Sequence, residues 1–140
     1  MAFGDIIRFA ASPSTEPRGI GGDANTIWHN DYNLDRIYEL STVDFSIVSF
    51  AASPSILPSG IGGDANTIWH CDTNIDRIYE LSTADFSVVR FVASPSTDPW
   101  GIGGDANTIW HNDLTPDRGY RLSTGADKSW NIGKTVMSLA

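Results

Sequence analysis

The sequence predicts an all-β fold made of repeated four-stranded antiparallel units, three to the chain. Three observations carry this. The eleven residues Gly-Ile-Gly-Gly-Asp-Ala-Asn-Thr-Ile-Trp-His occur unchanged at 19–29, 60–70 and 101–111, a spacing of 41 residues both times. Within each unit the apolar runs are four to seven residues long and are bounded by Gly, Pro, Asn and Asp, as strands are. No unit holds the ten or more residues of 3.6-periodic apolar pattern that a helical repeat needs.

The second unit shows the elements in order. Ser59–Asp64 is a short glycine-rich strand. Asp64-Ala65-Asn66 is a turn, where Asn tolerates a left-handed backbone. Thr67–Cys71 is a second strand, rich in β-branched and aromatic residues. Asp72–Asp76 turns again, Arg77–Ser82 is the third strand, and Thr83-Ala84-Asp85 is the last tight turn. Phe86–Val92 is the fourth strand. Residues 94–99, Ser-Pro-Ser-Thr-Asp-Pro, link to the next unit, where proline's fixed φ and missing donor are tolerated.

Four short strands in about 40 residues is the blade pattern of a β-propeller. The fourth strand is apolar on both sides of its alternation, with Val88 and Val89, then Phe91 and Val92. A blade packs on neighbours through both faces, so both must be apolar. The glycine-rich strand belongs innermost, where blades converge and side chains crowd. A solenoid of β-coils is the main alternative, but its coils are usually shorter and need fewer tight turns.

Residues 60–81, Gly-Ile-Gly-Gly-Asp-Ala-Asn-Thr-Ile-Trp-His-Cys-Asp-Thr-Asn-Ile-Asp-Arg-Ile-Tyr-Glu-Leu, resemble the core of NHL-type and streptogramin-lyase-like propeller repeats. Those show a Gly-Ile inner strand, a turn, an aromatic-bearing second strand, an Asp, then Asn-x-x-Arg-Ile or a close variant. The resemblance implies a propeller fold and leaves function open, because such propellers do many jobs. Lyase activity is not implied, since no catalytic motif beyond the blade pattern matches. Asp23, Asn25 and Trp28, with their copies, also resemble the Asp-box turn of other propellers, with Asn in place of the usual Gly.

The whole chain, 1–140, is expected to be one propeller-forming domain. Ile6–Pro13 aligns with Ile47–Pro54, so residues 5–12 read as a fourth strand with no first three before it. Units then run over about 18–53, 59–94 and 100–140, and from Lys128 the fourth-strand pattern is gone. Three blades are too few to close a ring, which takes about four to eight. The expectation is therefore homo-oligomerisation with strand exchange, in which the N-terminal strand completes the third blade of a neighbouring chain and removes an exposed edge. Two chains give six blades, and three would give nine. The alternative is that the tail supplies the fourth strand through Trp130, Ile132, Val136 and Leu139.

Composition narrows the partners. With 41% hydrophobic and 19% charged residues the chain reads as globular. A net charge of −8 disfavours nucleic acid and anionic membranes. No run of ~18 apolar residues is present to span a bilayer as a helix. No secretory signal is legible at the N-terminus, so localisation is cytoplasmic by default. Cys71 is alone and stands where the other units have Asn30 and Asn112, so it reads as a tolerant position.

His29, His70 and His111 are metal-ligating residue types. Equivalent positions in adjacent blades lie ~10 Å apart, too far for one ion. Each is instead expected in a structural hydrogen bond between blades, or with the Asp two residues on (Asp31, Asp72, Asp113). Asp31–Asp35 and Asp72–Asp76 have the D-x-N-x-D spacing of calcium loops. Arg follows where a calcium loop needs Gly, so Asx turns and an Asp–Arg pair are expected. No cofactor and no catalytic group are expected.

Function should sit on connecting loops, at residues that vary between units. These are Arg18, Ser59 and Trp100 before the invariant Gly-Ile, and Tyr32 and Thr73 in the second turn. Trp100 offers a stacking platform. The expectation is a non-enzymatic scaffold acting as a multivalent binding module, with a glycan or protein ligand. A purely structural or protein-docking propeller is the alternative, and a streptogramin-lyase-like enzyme comes third.

Overall fold

A computed structural model describes residues 1–125, and these form eleven strands and no helix. Strands β1 (Pro17–Gly22), β2 (Ile27–Asp31), β3 (Arg36–Leu40) and β4 (Ile47–Ala52) form one antiparallel sheet in that order. Strands β5 (Pro58–Gly63), β6 (Ile68–Asp72), β7 (Arg77–Leu81) and β8 (Val88–Ala93) form the second. The third has three strands among the described residues, β9 (Pro99–Gly104), β10 (Thr108–Asp113) and β11 (Arg118–Ser123). The sequence-based strands match these to within two residues. Successive sheets pack face to face, with β1 against β5 and β5 against β9. This is a β-propeller-like arrangement with the glycine-rich strands innermost.

Glycine is required there for contact between backbones. A Cβ on Gly62 would stand 2.6 Å from the carbonyl oxygen of Ile102 and 2.8 Å from Cα of Gly103. Gly22 closes the first turn at φ 144°, where a Cβ would meet the Thr26 carbonyl. The aspartate of that turn is fixed by its own backbone: Asp23 Oδ1 accepts from the N–H groups of Asn25 and Thr26.

One core cluster lies between the first two sheets. Trp28 and Ile37 of the first meet Ile61, Ile68, Tyr79, Leu81 and Phe86 of the second. Phe86 corrects the sequence reading. It precedes the fourth strand rather than starting it, at φ 64°, in a turn closed by its N–H to the Ser82 carbonyl. Its ring is buried and meets Trp28 edge-on at 5.8 Å. A left-handed phenylalanine costs about 1 kcal/mol or more, which burial of the ring against an indole offsets.

Residues 5–12 form no strand in the single chain. Phe3, Ile6, Ile7 and Phe9 are exposed. In the first two sheets the fourth-strand place is already filled by β4 and β8. The alternative built on Trp130, Ile132, Val136 and Leu139 lies outside the described residues.

Candidate functional site

The inner strands begin with Pro17, Pro58 and Pro99, so Arg18, Ser59 and Trp100 stand at equivalent points at one end of the sheets. The β2–β3 and β6–β7 turns, with Tyr32 and Thr73, lie at that same end because β1 pairs with β2 through Pro17 and Asp31. A hollow of about 270 Å³ opens there, walled by Arg18–Ile20, Ser59–Ile61 and Trp100–Ile102.

Three of the five residues singled out in the sequence meet. The Arg18 guanidinium lies 4.2 Å from the Tyr32 ring centroid and 5.4 Å from that of Trp100. A guanidinium over aromatic faces is attracted by the ring quadrupoles and holds their orientation. Trp100 remains 44% exposed, so its ring is held yet presented to solvent.

The other two are used differently. Ser59 is buried, with its hydroxyl 2.6 Å from the Pro99 carbonyl oxygen and 3.1 Å from that of Cys71. It ties β5 to the next inner strand. Thr73 is half-buried and lies against the Leu57 carbonyl, which accepts its N–H at 3.2 Å. Cys71 is enclosed beside Ser59, and burial pushes its thiol up to about 12.

His70 and His111 join neighbouring sheets, and His29 makes the equivalent bonds to Gly19 and to Ser12 of the N-terminal segment. Nδ1 of His29, His70 and His111 lies 2.9 Å from the carbonyls of Gly19, Gly60 and Gly101. Nε2 faces the hydroxyls of Ser12, Ser53 and Ser94 at 3.2, 3.1 and 3.1 Å. Ser53 and Ser94 directly follow the fourth strands of the preceding sheets, so these two bonds cross between blades. A carbonyl only accepts, so Nδ1 of His29 and His70 carries the proton and Nε2 accepts from the serine. Burial lowers the pKa of His70 to about 4 and that of His29 in the same direction.

The expected pairing with the next Asp holds only at His111, whose Nε2 is 2.6 Å from Asp113 Oδ1. The turns explain the difference. Asp31 Oδ1 accepts from the N–H groups of Asn33 and Leu34, and Asp72 Oδ1 from those of Asn74 and Ile75. These are the expected Asx turns. The third turn reads Leu114-Thr115-Pro116, and Asp113 turns to His111 and Ser94 instead. The expected Asp–Arg pairs are replaced by stacking of Arg36 on Phe50 and Arg77 on Phe91. Among the described residues no three His, Cys, Asp or Glu side chains are grouped to hold a metal ion.

Neither a family model nor a curated protein matches the sequence. Solved structures do match the fold. A catalytically inactive variant of virginiamycin B lyase from Staphylococcus aureus, crystallised with quinupristin, is similar at a TM-score of 0.63 and 17% identity, over 91% of this chain and 45% of that one. Hydrazine synthase of Kuenenia stuttgartiensis is similar at 0.55 and 12% identity, over 84% of this chain and 38% of that one. The chain thus spans less than half the length of either. The likeness at these identities is one of fold, and the chain shares a propeller-like fold with the streptogramin lyase.

Proposed function

We propose that the chain is a non-enzymatic propeller scaffold that works as a multivalent binding module for carbohydrate. The observation that carries this is the convergence of Arg18, Tyr32 and Trp100 at one mouth of the sheets. A half-exposed indole gives a flat apolar face for a sugar ring, and the guanidinium beside it supplies fixed donors for hydroxyls. Burial of all three histidines in repeated structural bonds supports a role without chemistry. Titration with a glycan array, followed by heteronuclear NMR, tests the reading. Binding that disappears in Trp100→Ala supports it, and no sugar bound at millimolar concentration sinks it. A structural or protein-docking role is the second reading, favoured by Ser59, which spends its hydroxyl on packing at the centre of the mouth.

The scaffold is proposed to be a ring of six blades from two chains. Ile6–Ala11 of each would become the fourth strand of the other's β9–β11 sheet. The end of that segment is already seated like the end of a fourth strand, since Ser12 meets His29 as Ser53 meets His70 and Ser94 meets His111. Avidity from paired sites would then raise weak affinities.

A further inference from the structure

We propose that the Trp110 face of the third sheet docks on the Ile20–Asp23–Phe45 face of the first sheet in a second copy of this chain, with the Trp110 indole N–H donated to the Asp23 main-chain carbonyl. This rests on the reading of the chain as a ring-forming scaffold and names the contact that closes the ring.

The chain contains this contact twice already. At the first junction Trp28 Nε1 donates to the Asp64 carbonyl at 2.9 Å, while Phe86 packs on the indole edge-on. Gly21 lies against Gly62 there, with a Cβ on Gly21 only 2.7 Å from Gly62 Cα, and Ile61 is buried. At the second junction Trp69 Nε1 donates to the Asp105 carbonyl at 2.8 Å, and Gly62 lies against Gly103. Each junction therefore joins a tryptophan-bearing face to a face carrying Ile, Asp and a first-turn carbonyl.

One half of each kind is left over. Trp110 is 57% exposed, where Trp28 and Trp69 are 1% and 3% exposed. Ile20 is 67% exposed, where Ile61 is 3% exposed. A Cβ on Gly103 would meet none of the described residues within 4 Å. The two halves are complementary because residues 19–29 and 60–70 are identical, so Ile20 and Asp23 repeat the surface that Trp28 already fits. A second copy supplies that surface residue for residue. The contact joins different faces, and two copies close it by making it twice.

On the face that carries its tryptophan, the third sheet departs from the internal junctions at Gly119 and at Arg121, which stands where the others have Glu39 and Glu80. Gly119 stands where Ile37 and Ile78 stand, a Cβ there would meet none of the described residues within 4 Å, and a hollow of about 570 Å³ opens beside Trp110 and Arg121. The closing junction is thus one isoleucine short, which makes it weaker than the two within the chain.

Light scattering across micromolar to sub-millimolar concentrations tests the contact. The native chain is expected at about twice the 15.2 kDa chain mass. Trp110→Glu removes two anchors from each closed dimer and is expected to weaken association by about 100-fold or more. Gly119→Ile restores the missing side chain at an open position and is expected to strengthen association several-fold. It decides the matter if Trp110→Glu fails to fold. A mass three times that of one chain, lost in Trp110→Glu, keeps the contact and changes the ring to nine blades. If native chains associate but neither variant changes the affinity, the contact is wrong and the ring stands. A native chain that stays at one chain mass throughout overturns contact and ring together, and leaves sugar binding at Trp100 to its own titration.

Discussion

Phe86 reaches back across the sheet boundary to meet Trp28 edge-on, 5.8 Å between centroids, from a backbone with φ 64°. The contact joins a turn in the second sheet to a strand in the first. Phe86→Ala is expected to lower unfolding stability by about 3 kcal/mol, the usual cost of deleting a buried ring. A urea midpoint moved by less than a third of that would show that the turn, not the ring, holds the junction.

Backbone contact between inner strands makes a second prediction. Gly62→Ala places a methyl against Ile102 and Gly103 and is expected to destabilise by about 2 kcal/mol through overpacking. Gly103→Ala is expected to leave the stability of a single chain nearly unchanged. Thermal melts of the two variants at concentrations too low for association give the comparison, and equal losses would contradict the packing described.

Acid sensitivity follows from His70. Its pKa in the fold is about 4 against an ordinary 6.5, so it is neutral when folded. Between those values the unfolded chain binds a proton that the folded chain does not. The contribution is fully present above pH 6.5 and is lost as pH falls from 6.5 toward 4, on the order of 3 kcal/mol for a shift of this size. His29 adds in the same direction. His70→Gln is expected to be less stable at neutral pH yet to lose less on acidification. Urea titrations at several pH values check this, and an unchanged slope in the variant would rule His70 out as its source.

Strand exchange carries its own signature in charge. Glu39 pairs in register with Ser49, and Glu80 with Arg90, which it also salt-bridges. Arg8 aligns with those fourth-strand positions, and Arg121 aligns with the two glutamates. Exchange would therefore set Arg8 opposite Arg121, an unfavourable cross-strand pair. Arg121→Glu is expected to strengthen self-association several-fold at low salt, with the gain shrinking as salt is added. An affinity that ignores the substitution would place residues 6–11 somewhere other than beside β11.

Strand order was legible because Asp-Ala-Asn and the second turns interrupt the apolar runs at fixed intervals, and local turn chemistry survives into the fold. Phe86 was misread because a bulky apolar residue beside Val88 looks like a strand residue, and only tertiary packing repays its left-handed backbone. At the mouth, residue type and position were legible for Arg18, Tyr32 and Trp100. Ser59 was not, and the reason lies outside its own unit. The middle inner strand has a sheet on each side, whereas among the described residues β1 and β9 each have one. Equivalent positions in sequence therefore differ in burial, as do Cys71, which is enclosed, and Asn112, which is exposed. The serine partners of the histidines carried a signal too, since Ser12, Ser53 and Ser94 each stand 17 residues before a histidine.

The two internal junctions share the tryptophan-to-carbonyl bond and the glycine-on-glycine contact, 41 positions apart. Insert a further unit into the gene, or delete one, and each new boundary would be a boundary the protein already builds. Chain length could then drift by whole units without any surface having to be reinvented, and the partition of a ring between one gene product and several would become a matter of copy number.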